Sequence, residues 1–441
     1  MHRRAYRMAA IGLALVLCVV APAGVSARTK PRKAARPSSA LLGGVNIGAV
    51  GYDSPPAEAQ ALIAAAHALQ AKVVRVEVPW AVFEPQSPEH VEAGPLAYAD
   101  RLLGDASTAG IRVIMDVDDT PCWASSAPTA ILSGCNPASR SQANAWPPSN
   151  PAAYAAFVAF LSARYGTGLA AIEVWNEPDE SNEAYFAGPE KAVRYAAVLR
   201  AAYPAIKAAN TSVAVLAGAL VGSNGVFLRD LYAAGIKGYY DGLAVHYYNL
   251  TLGSLRSIHE AQLANGDTTP VWLDEFGWSS CWPARSIEQE QGCVTPQIQA
   301  RNIADTLRTL ARTPWVAAAV LYKLQDSPLE EFGLLSPTGA RKPAFAAFAH
   351  ALSAPFANVS PVTLSLRRRG TRVIAAGSGP VGDFMQLEVF KGGVLRYRSL
   401  FTLNRFNRYS ITLPSVLGDN ALRVRVFQYW SGVASAARKR I

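Results

Sequence analysis

Cysteine, histidine and methionine are scarce in this chain of 441 residues, which has five, six and four of them. The cysteines form no CxxC pair and no histidine accompanies them, so their spacing argues against a zinc site. After residue 27 no apolar run is long enough to cross a bilayer. Half of the residues are hydrophobic, which indicates a globular chain, and the length predicts one large domain and a small one.

The first forty residues have the layout of an export signal followed by a spacer. A basic start precedes an apolar run over 8–20, and the small residues at 25–27 form a cleavage site. We therefore expect a signal peptide over 1–27 rather than an uncleaved anchor, because the apolar run is short for a membrane span. Residues 28–40 are basic and rich in proline and serine, which predicts a disordered linker.

Four cysteines remain after the predicted signal, and they form two close pairs. Cys122 lies near Cys135, and Cys281 lies near Cys293. An exported chain can oxidise both pairs. Each disulfide would close a short loop and stabilise the fold by roughly 2–3 kcal/mol on the chain-entropy model.

The net charge of +10 is divided unevenly along the chain. Residues 41–355 carry 20 basic and 29 acidic side chains, a net charge of −9, whereas residues 356–437 carry 11 and 3, a net charge of +8. The acidic large segment argues against a nucleic-acid-binding protein. The basic tails at 28–36 and 438–440 are typical of solvated surface, and contact with anionic envelope polymers is the alternative in an exported protein.

An apolar, β-branched run followed by a helix-length stretch recurs about eight times between residues 41 and 355. This pattern predicts a (β/α)8 TIM barrel. An open doubly wound sheet is the alternative, but the first strand lacks the GxGxxG spacing of a phosphate turn. The predicted strands are 43–48, 72–79, 112–118, 171–176, 212–220, 242–248, 270–275 and 316–324. The predicted helices are 55–70, 95–109, 152–165, 190–209, 224–235, 254–264, 296–311 and 342–352.

From residue 356 the helical spacing stops and apolar residues alternate with polar or basic ones. Gly392 and Gly393 lie where a hairpin turn is expected. We predict that residues 356–441 form an accessory antiparallel β-sandwich domain.

Reactive groups of a TIM barrel lie at the carboxyl ends of its strands. "VWNEP" ends the fourth predicted strand with Asn176 and Glu177, and "LDEFGW" ends the seventh with Glu275. Two inward carboxylates on opposite strands are the arrangement that glycoside hydrolysis needs. Three carboxylates also end the third strand, but side chains from one strand end do not enclose an ion, so we predict no metal.

These two motifs resemble those of the clan A retaining glycoside hydrolases, with family 39-like and family 5-like (cellulase-like) bacterial enzymes the most similar. The resemblance covers residues 41–355. It implies that Glu177 is the general acid/base, that Glu275 is the nucleophile and that Asn176 holds the sugar 2-hydroxyl.

Three further residues match positions of the same clan. Arg75 resembles the arginine that keeps the nucleophile ionised, because a neighbouring guanidinium favours a charged carboxylate. His246 and Tyr248 in "VHYYN" resemble its HxY pair, in which the tyrosine donates to the nucleophile. The alternatives are a structural ion pair of Arg75 with Glu77, a hydrogen-bonded core histidine and a packing tyrosine. The eighth strand departs from the pattern, since Tyr322, Lys323 and Gln325 stand where many members have tryptophan.

Aromatic residues follow several predicted strands, where a ring can stack on the apolar face of a sugar. As a group they are expected to line the cleft, although each one could instead be a packing residue. The candidates are Trp80, Trp123, Trp146, Trp278, Trp282 and Tyr322.

Together these patterns predict a secreted, monomeric retaining β-glycoside hydrolase that acts on a polysaccharide or oligosaccharide and needs no cofactor. A transglycosylase with the same carboxylates would remodel envelope glycans instead. A third possibility is a carbohydrate-binding protein on a barrel scaffold. The paired glutamates argue against it, because two like charges held close together repel.

Overall fold

The computed structural model describes residues 41–51, 55–221, 225–248, 252–283, 293–417, 422–432 and 437–440. The predicted signal peptide and linker lie outside these residues. Within the described part of the chain, no helix is both long enough and apolar enough to cross a membrane.

Eight parallel strands close into a barrel in chain order, which confirms the predicted TIM barrel. Each strand is hydrogen-bonded to its two neighbours, and β1 pairs with β8, so the open-sheet alternative is wrong. The strands are β1 (Leu42–Ala49), β2 (Val73–Pro79), β3 (Arg112–Asp118), β4 (Leu169–Val174), β5 (Ala214–Leu220), β6 (Gly242–His246), β7 (Val271–Phe276) and β8 (Val316–Leu321).

Helices follow the strands and pack outside the barrel. Several begin at a signal readable in the sequence: proline occupies the first turn at Pro151 and Pro296, and the side chains of Asn150 and Thr295 accept hydrogen bonds from the first turns. The helices are α1 (Pro56–Ala68), α2 (Trp80–Phe83), α3 (Ala93–Thr108), α4 (Thr129–Leu132), α5 (Pro151–Tyr165), α6 (Lys191–Ala209), α7 (Val226–Ala233), α8 (Gly253–Ala264), α9 (Pro296–Leu310) and α10 (Pro343–Ser353).

The interior of the barrel changes from apolar to charged along several strands, as β2 and β3 show. Side chains of a strand alternate between its two faces, and Val73 and Ile114 lie in the small apolar cluster inside the barrel. Two positions further along the same faces stand Arg75 and Asp116, both buried, and Glu77 follows Arg75. The alternation that fills the base of the barrel with apolar groups therefore places ionisable groups at its carboxyl end.

The chain after α10 forms the predicted antiparallel sandwich. One sheet has the order β13-β10-β9 and the other β12-β11-β14-β15, and apolar side chains of both sheets share a core. The strands are β9 (Ser365–Arg369), β10 (Arg372–Ser378), β11 (Met385–Lys391), β12 (Val394–Phe401), β13 (Arg408–Thr412), β14 (Leu422–Gln428) and β15 (Ala437–Arg440).

The sandwich packs against α9 of the barrel through buried polar contacts. Asn407 Nδ2 donates to Asn302 Oδ1 at 2.8 Å, and the backbone N–H of Ser360 donates to Asp305 Oδ1 at 2.9 Å. Both partners on the helix are buried. Barrel and sandwich thus belong to one compact unit.

Both predicted disulfides are present. Cys122 and Cys135 close the loop after β3 with a Cα–Cα distance of 5.8 Å, and Cys281 and Cys293 close the loop after β7 with a distance of 5.0 Å. Each bridge therefore constrains a loop at the carboxyl end of the barrel, where the candidate site residues lie.

We expect the double variant Cys122→Ser/Cys135→Ser to lose about 2–3 kcal/mol of unfolding free energy, because the unfolded chain regains the entropy of an open loop. Urea unfolding followed by circular dichroism measures the loss. Ser139→Ala, in the same exposed loop, should change the unfolding free energy by less than about 0.5 kcal/mol. Equal stability of the double variant and the wild type would show that the bridge constrains nothing.

Candidate active site

A cavity of about 470 Å³ opens at the carboxyl end of the barrel. Its volume lies within the range of small-ligand pockets, about 300–1,000 Å³. Its wall is formed by residues of β1, β2 and β7 and by the loops after β4, β6 and β8, so the closed barrel brings together residues that are far apart in sequence. The lining residues are Asn46, Gly48, Ala49, Arg75, Glu77, Asn176, Glu177, Tyr185, Tyr248, Glu275, Tyr322, Lys323, Glu330 and Phe332.

Arg75 is the centre of the hydrogen-bond network beneath this cavity. Its guanidinium is almost fully buried and donates to Glu275 Oε1 at 2.8 Å and to Asp116 Oδ2 at 2.9 Å. It also donates through two nitrogens to Glu173, at 2.9 and 3.0 Å, and to Asn176 Oδ1 at 3.1 Å. The planar guanidinium with its fixed donors can serve four partners at once, which a lysine cannot.

Burial and the positive charge of Arg75 shift the pKa values of the buried acids in opposite directions. Burial alone would lower the pKa of Arg75, but the charges of Glu173, Asp116 and Glu275 raise it well above its ordinary value. Burial raises the pKa of Asp116 and of Asp274 well above the ordinary range, and the Glu173 charge adds to both shifts. Burial also acts to raise the pKa of Glu173, yet the attraction of Arg75 outweighs it and the pKa is lowered. Burial therefore favours the protonated forms of Asp116 and Asp274, whereas Arg75 favours the charged form of Glu173.

Three donors hold Glu275. Besides Arg75, Asn46 Nδ2 donates to Glu275 Oε1 at 3.1 Å, and the Tyr248 hydroxyl donates to Glu275 Oε2. Burial of the hydroxyl and the charge of Glu275 raise the pKa of Tyr248 well above its ordinary value, so the phenol keeps the proton that it donates. These contacts fix both oxygens of Glu275 while 10% of its side chain stays exposed to the cavity.

Glu177 reaches the cavity through a strained turn after β4. Trp175 and Glu177 both have positive φ, 73° and 43°, a conformation that costs non-glycine residues about 1–3 kcal/mol. The Trp175 ring is buried, and its Nε1 donates to the Tyr185 carbonyl at 2.8 Å. The buried indole thus anchors the turn that projects Asn176 and Glu177 into the cavity.

The two glutamates meet at His246. Its Nδ1 lies 2.8 Å from Glu177 Oε1 and 3.5 Å from Glu275 Oε2. One carboxylate oxygen of each glutamate and one nitrogen of His246 all lie within 4.8 Å of one another. The structure therefore brings together Asn176, Glu177, Glu275, Arg75, His246 and Tyr248, all of which the sequence motifs single out. The alternative of an Arg75–Glu77 ion pair does not fit the hydrogen bonds of Arg75 given above.

A second acidic group lies at the carboxyl ends of β2 and β3, and its Glu77 lines the cavity. Oxygens of Glu77, Asp118 and Asp119 lie within 4.8 Å of one another, and Arg140 binds both oxygens of Asp119 at 2.8 and 3.2 Å. Burial, together with the charge of Asp119, raises the pKa of Glu77 from its ordinary value of 4.5 to about 7. Burial also raises the pKa of Asp118 well above its ordinary value.

Three groups of His, Asp and Glu residues in the described chain have oxygen and nitrogen atoms close enough to share an ion. In each group at least one member already binds a guanidinium: Arg75 contacts Glu173 and Glu275, and Arg140 contacts Asp119. The chain thus supplies positive charge to each group itself. That the site works without a metal or cofactor remains a prediction.

The structure does not bring the predicted tryptophan platforms to the cavity. Trp80 is completely buried, so no ring face can meet a sugar, and its Nε1 donates to Glu84 Oε2 at 2.7 Å. Trp123 packs edge-on against Trp80, with its Nε1 bound to the Glu84 carbonyl. Trp278 is 7% exposed and packs against Phe276.

Trp282, in the loop after β7, contacts the β-sandwich instead of the cavity. Its ring packs edge-on against Phe406, with the centroids 5.5 Å apart, and Arg405 stacks over it at 4.4 Å. The same physical reason explains why these tryptophans do not line the cavity. A large apolar ring beside a strand end is stabilised by any apolar surface nearby, and the neighbouring loops provide that surface.

Tyr322 does line the cavity, where its hydroxyl donates to Glu330 Oε2 at 3.0 Å. Lys323 donates to the same oxygen at 2.5 Å. The sequence interpretation missed Asn46, Tyr185 and Glu330 as lining residues. Asn46 is the one polar side chain of the apolar β1 run, and that interruption was its signal. Tyr185 and Glu330 come from long loops, which carry no comparable signal.

The sequence interpretation also missed Glu173, which binds Arg75. Its signal was a glutamate inside the apolar run "AIEVW", at a position whose neighbours on both sides are buried. Such a residue needs a buried cation, and Arg75 provides it.

Glu77→Gln should stabilise the protein at alkaline pH. Because the folded state binds the Glu77 proton more tightly than the unfolded chain does, this group's contribution is full below pH 4.5 and is lost as the pH rises through about 7. Glutamine stays neutral at every pH. Between about pH 5 and pH 8 the unfolding free energy of the wild type should therefore fall by up to about 3 kcal/mol relative to that of the variant. Urea unfolding across this range measures the difference. Glu183→Gln, at an exposed position, is the control, and parallel pH curves for Glu77→Gln and the wild type would contradict the shift.

Known structures with the same architecture were found at low sequence identity. A family 39 glycoside hydrolase from the gut symbiont Bacteroides cellulosilyticus WH2 is 18% identical, with 85% of this chain and 81% of that chain covered at a TM-score of 0.53. A GH39 enzyme from Xanthomonas axonopodis pv. citri is 15% identical, with coverage of 87% and 97% and a TM-score of 0.53. A GH39 β-xylosidase from Caulobacter crescentus is 17% identical, with coverage of 87% and 95% and a TM-score of 0.54. At these identities the likeness concerns the fold.

No curated protein sequence matches the chain. Residues 38–294, more than half of the chain, match the family model for Cellulase (glycosyl hydrolase family 5). This match agrees with the strand-end motifs and with the architecture shared with family 39 enzymes. The chain therefore belongs to glycosyl hydrolase family 5, the cellulase family, and is a glycoside hydrolase.

Proposed function

We infer that this glycoside hydrolase is an exported, retaining enzyme that cleaves β-glycosidic bonds of an oligosaccharide or polysaccharide by double displacement. The observation that supports it most is the separation of the two carboxylates. One oxygen of Glu177 and one of Glu275 are at most 4.8 Å apart, which suits the roughly 5–5.5 Å between the carboxyl groups of retaining enzymes better than the roughly 6.5–9.5 Å that inverting enzymes need for a water molecule.

In the first step Glu275 attacks the anomeric carbon and the bond to the leaving oxygen breaks. Arg75, Asn46 and Tyr248 hold the attacking carboxylate, so little motion is needed to reach the carbon. Glu177 gives its proton to the leaving oxygen, which departs as an alcohol. The product of this step is a sugar bonded covalently to Glu275.

In the second step water replaces the leaving group. Glu177, now a carboxylate, takes a proton from the water. The oxygen of the water attacks the anomeric carbon, and the bond between that carbon and Glu275 breaks. Two displacements on opposite faces restore the original configuration. His246 lies within hydrogen-bonding distance of Glu177 in the described structure and orients this carboxyl for both steps.

Asn176 is assigned to the sugar 2-hydroxyl. Its Oδ1 accepts a hydrogen bond from Arg75, which fixes the orientation of the amide and directs Nδ2 away from the guanidinium. The amide lies beside Glu177 in the chain and lines the same cavity. A donor held there can strengthen its bond to the 2-hydroxyl as charge develops on the ring.

Export is supported by the two disulfides, because such bonds persist in oxidising compartments and are rare in the cytosol. It agrees with the signal predicted over residues 1–27, which the described structure does not include. The proposed domain order is the signal, the basic linker, the barrel over 41–355 and the β-sandwich over 356–441.

Glu275→Gln should abolish turnover of aryl β-glycosides, since glutamine cannot attack the anomeric carbon. Glu177→Gln should lower the rate of the first step with phenyl glycosides by roughly 10²–10⁴-fold. With dinitrophenyl glycosides the loss in this step should be far smaller, because a good leaving group needs no proton. Steady-state kinetics with both substrates, and azide added as a substitute nucleophile for the Glu177 variant, measure these effects.

Glu183→Gln is the control, since Glu183 is exposed in the same loop as Glu177 and should keep wild-type kinetics. Proton NMR of the first product should show the β-anomer. The α-anomer as first product, or full activity of either catalytic variant, would overturn the assignment.

A further inference from the structure

The three-stranded sheet of the β-sandwich has one face turned to solvent. Val373 and Ala375 of β10 and Tyr409 of β13 lie in the sandwich core. Because successive side chains of a strand point to opposite faces, the residues between them point outward. This outward face belongs to a part of the chain that the proposed catalytic mechanism does not use.

The outward face carries four exposed arginines, which we call the arginine face: Arg367 and Arg369 on β9, Arg372 on β10 and Arg408 on β13. Arg369 lies directly opposite Arg372 in the antiparallel register. Like charges directly opposite each other destabilise a sheet. A bound anion would relieve this repulsion.

Acidic side chains of the described β domain do not neutralise the arginine face. Asp383 Oδ2 accepts the backbone N–H groups of Trp430 and Ser431 at 3.0 and 2.6 Å. Glu388, on the other sheet, is bound by Arg398 at 3.3 Å and by Arg425. Both acids are thus committed elsewhere.

The arginine face extends along β10. Arg408 pairs with Ser378, six positions along β10 from Arg372, a span of about 20 Å at 3.3 Å per residue. The outward side chains between them are small or moderate in size, such as Ala376, Ser410 and Thr412. An extended polymer could lie along this strip with an arginine at each end.

The chemistry of the strip favours charge over stacking. In the described strands β9, β10 and β13 one residue is aromatic, Tyr409. Its side chain is 6% exposed and belongs to the core. A neutral sugar therefore finds no ring to stack on, and a nucleic acid finds no platform for its bases. Arginine forks instead match carboxylate groups in geometry and charge.

The catalytic cavity has the opposite character. Four glutamates and two cationic side chains line it: Glu77, Glu177, Glu275, Glu330, Arg75 and Lys323. A polyanion that suits the sheet is repelled there, so the ligand of the sheet differs from the glycosyl unit that is cleaved.

We propose that the arginine face is a second carbohydrate-binding site, which holds a carboxylate-bearing polysaccharide and tethers the barrel near neutral glycans of the same matrix. Tethering raises the effective concentration of the enzyme at its substrate without a new contact in the cavity. The site acts independently of Glu177 and Glu275.

Binding of the full-length protein to polygalacturonate tests the proposal, with fully methyl-esterified polygalacturonate as the neutral polymer of the same backbone. The wild type should bind the acid form and not the ester, and binding should weaken between about 20 and 200 mM salt as charges are screened. Arg369→Glu/Arg372→Glu should lower the affinity at least about tenfold, equivalent to about 1.4 kcal/mol, with Arg369→Gln/Arg372→Gln intermediate.

Lys72→Glu/Arg112→Glu is the matched control, because these exposed neighbours lie at the start of β2 and β3 and give the same charge change. It should bind like the wild type, and every variant should keep its turnover of small aryl glycosides and its melting temperature. The proposal would be overturned if the wild type bound the ester as well as the acid form or bound neither. It would also be overturned if the control lost as much affinity as Arg369→Glu/Arg372→Glu, or if the wild type bound DNA or anionic vesicles more tightly than polygalacturonate. An enzyme inactive on all β-glycosides would refute the proposed function and leave this result unaffected.

Discussion

One buried guanidinium organises the carboxyl end of this barrel. Arg75 is almost fully buried and donates to Glu275, Glu173, Asp116 and Asn176. Removing a charge of this kind leaves its buried partners uncompensated, a loss of typically 3–5 kcal/mol. The same contacts determine where the proposed nucleophile points, so stability and catalysis depend on the same hydrogen bonds.

The barrel explains why a single arginine can bind several acids that are far apart in the chain. The register pairs Arg75 of β2 with Ile114 of β3, and Asp116 follows Ile114 by two residues on the same face. Charges that are 41 to 200 positions apart in the chain thereby converge on one guanidinium. Burial raises the pKa of Asp116 and of Asp274, which opposes a build-up of negative charge around Arg75.

The strands and the catalytic pair could be predicted from the sequence because both depend on local pattern. A buried parallel strand is a continuous apolar run, and Glu177 and Glu275 each end one. Residues such as Tyr185 and Glu330 could not be predicted, since they reach the cavity from loops whose paths depend on tertiary packing. Trp80 is a residue whose role the sequence predicts wrongly. A tryptophan that follows a strand can be a sugar platform or a core residue, and the contacts with Glu84 and Trp123 make Trp80 a core residue.

Covalent labelling tests most directly whether the Arg75 network presents Glu275 as a nucleophile. An activated 2-deoxy-2-fluoro glycoside of a sugar that the enzyme cleaves should form a stable adduct, which peptide mass spectrometry should locate on Glu275. In Arg75→Lys, judged folded by its circular dichroism, labelling should slow by at least about 10²-fold, because the carboxylate is no longer held in place. An adduct on another residue, or wild-type labelling of Arg75→Lys, would contradict the account.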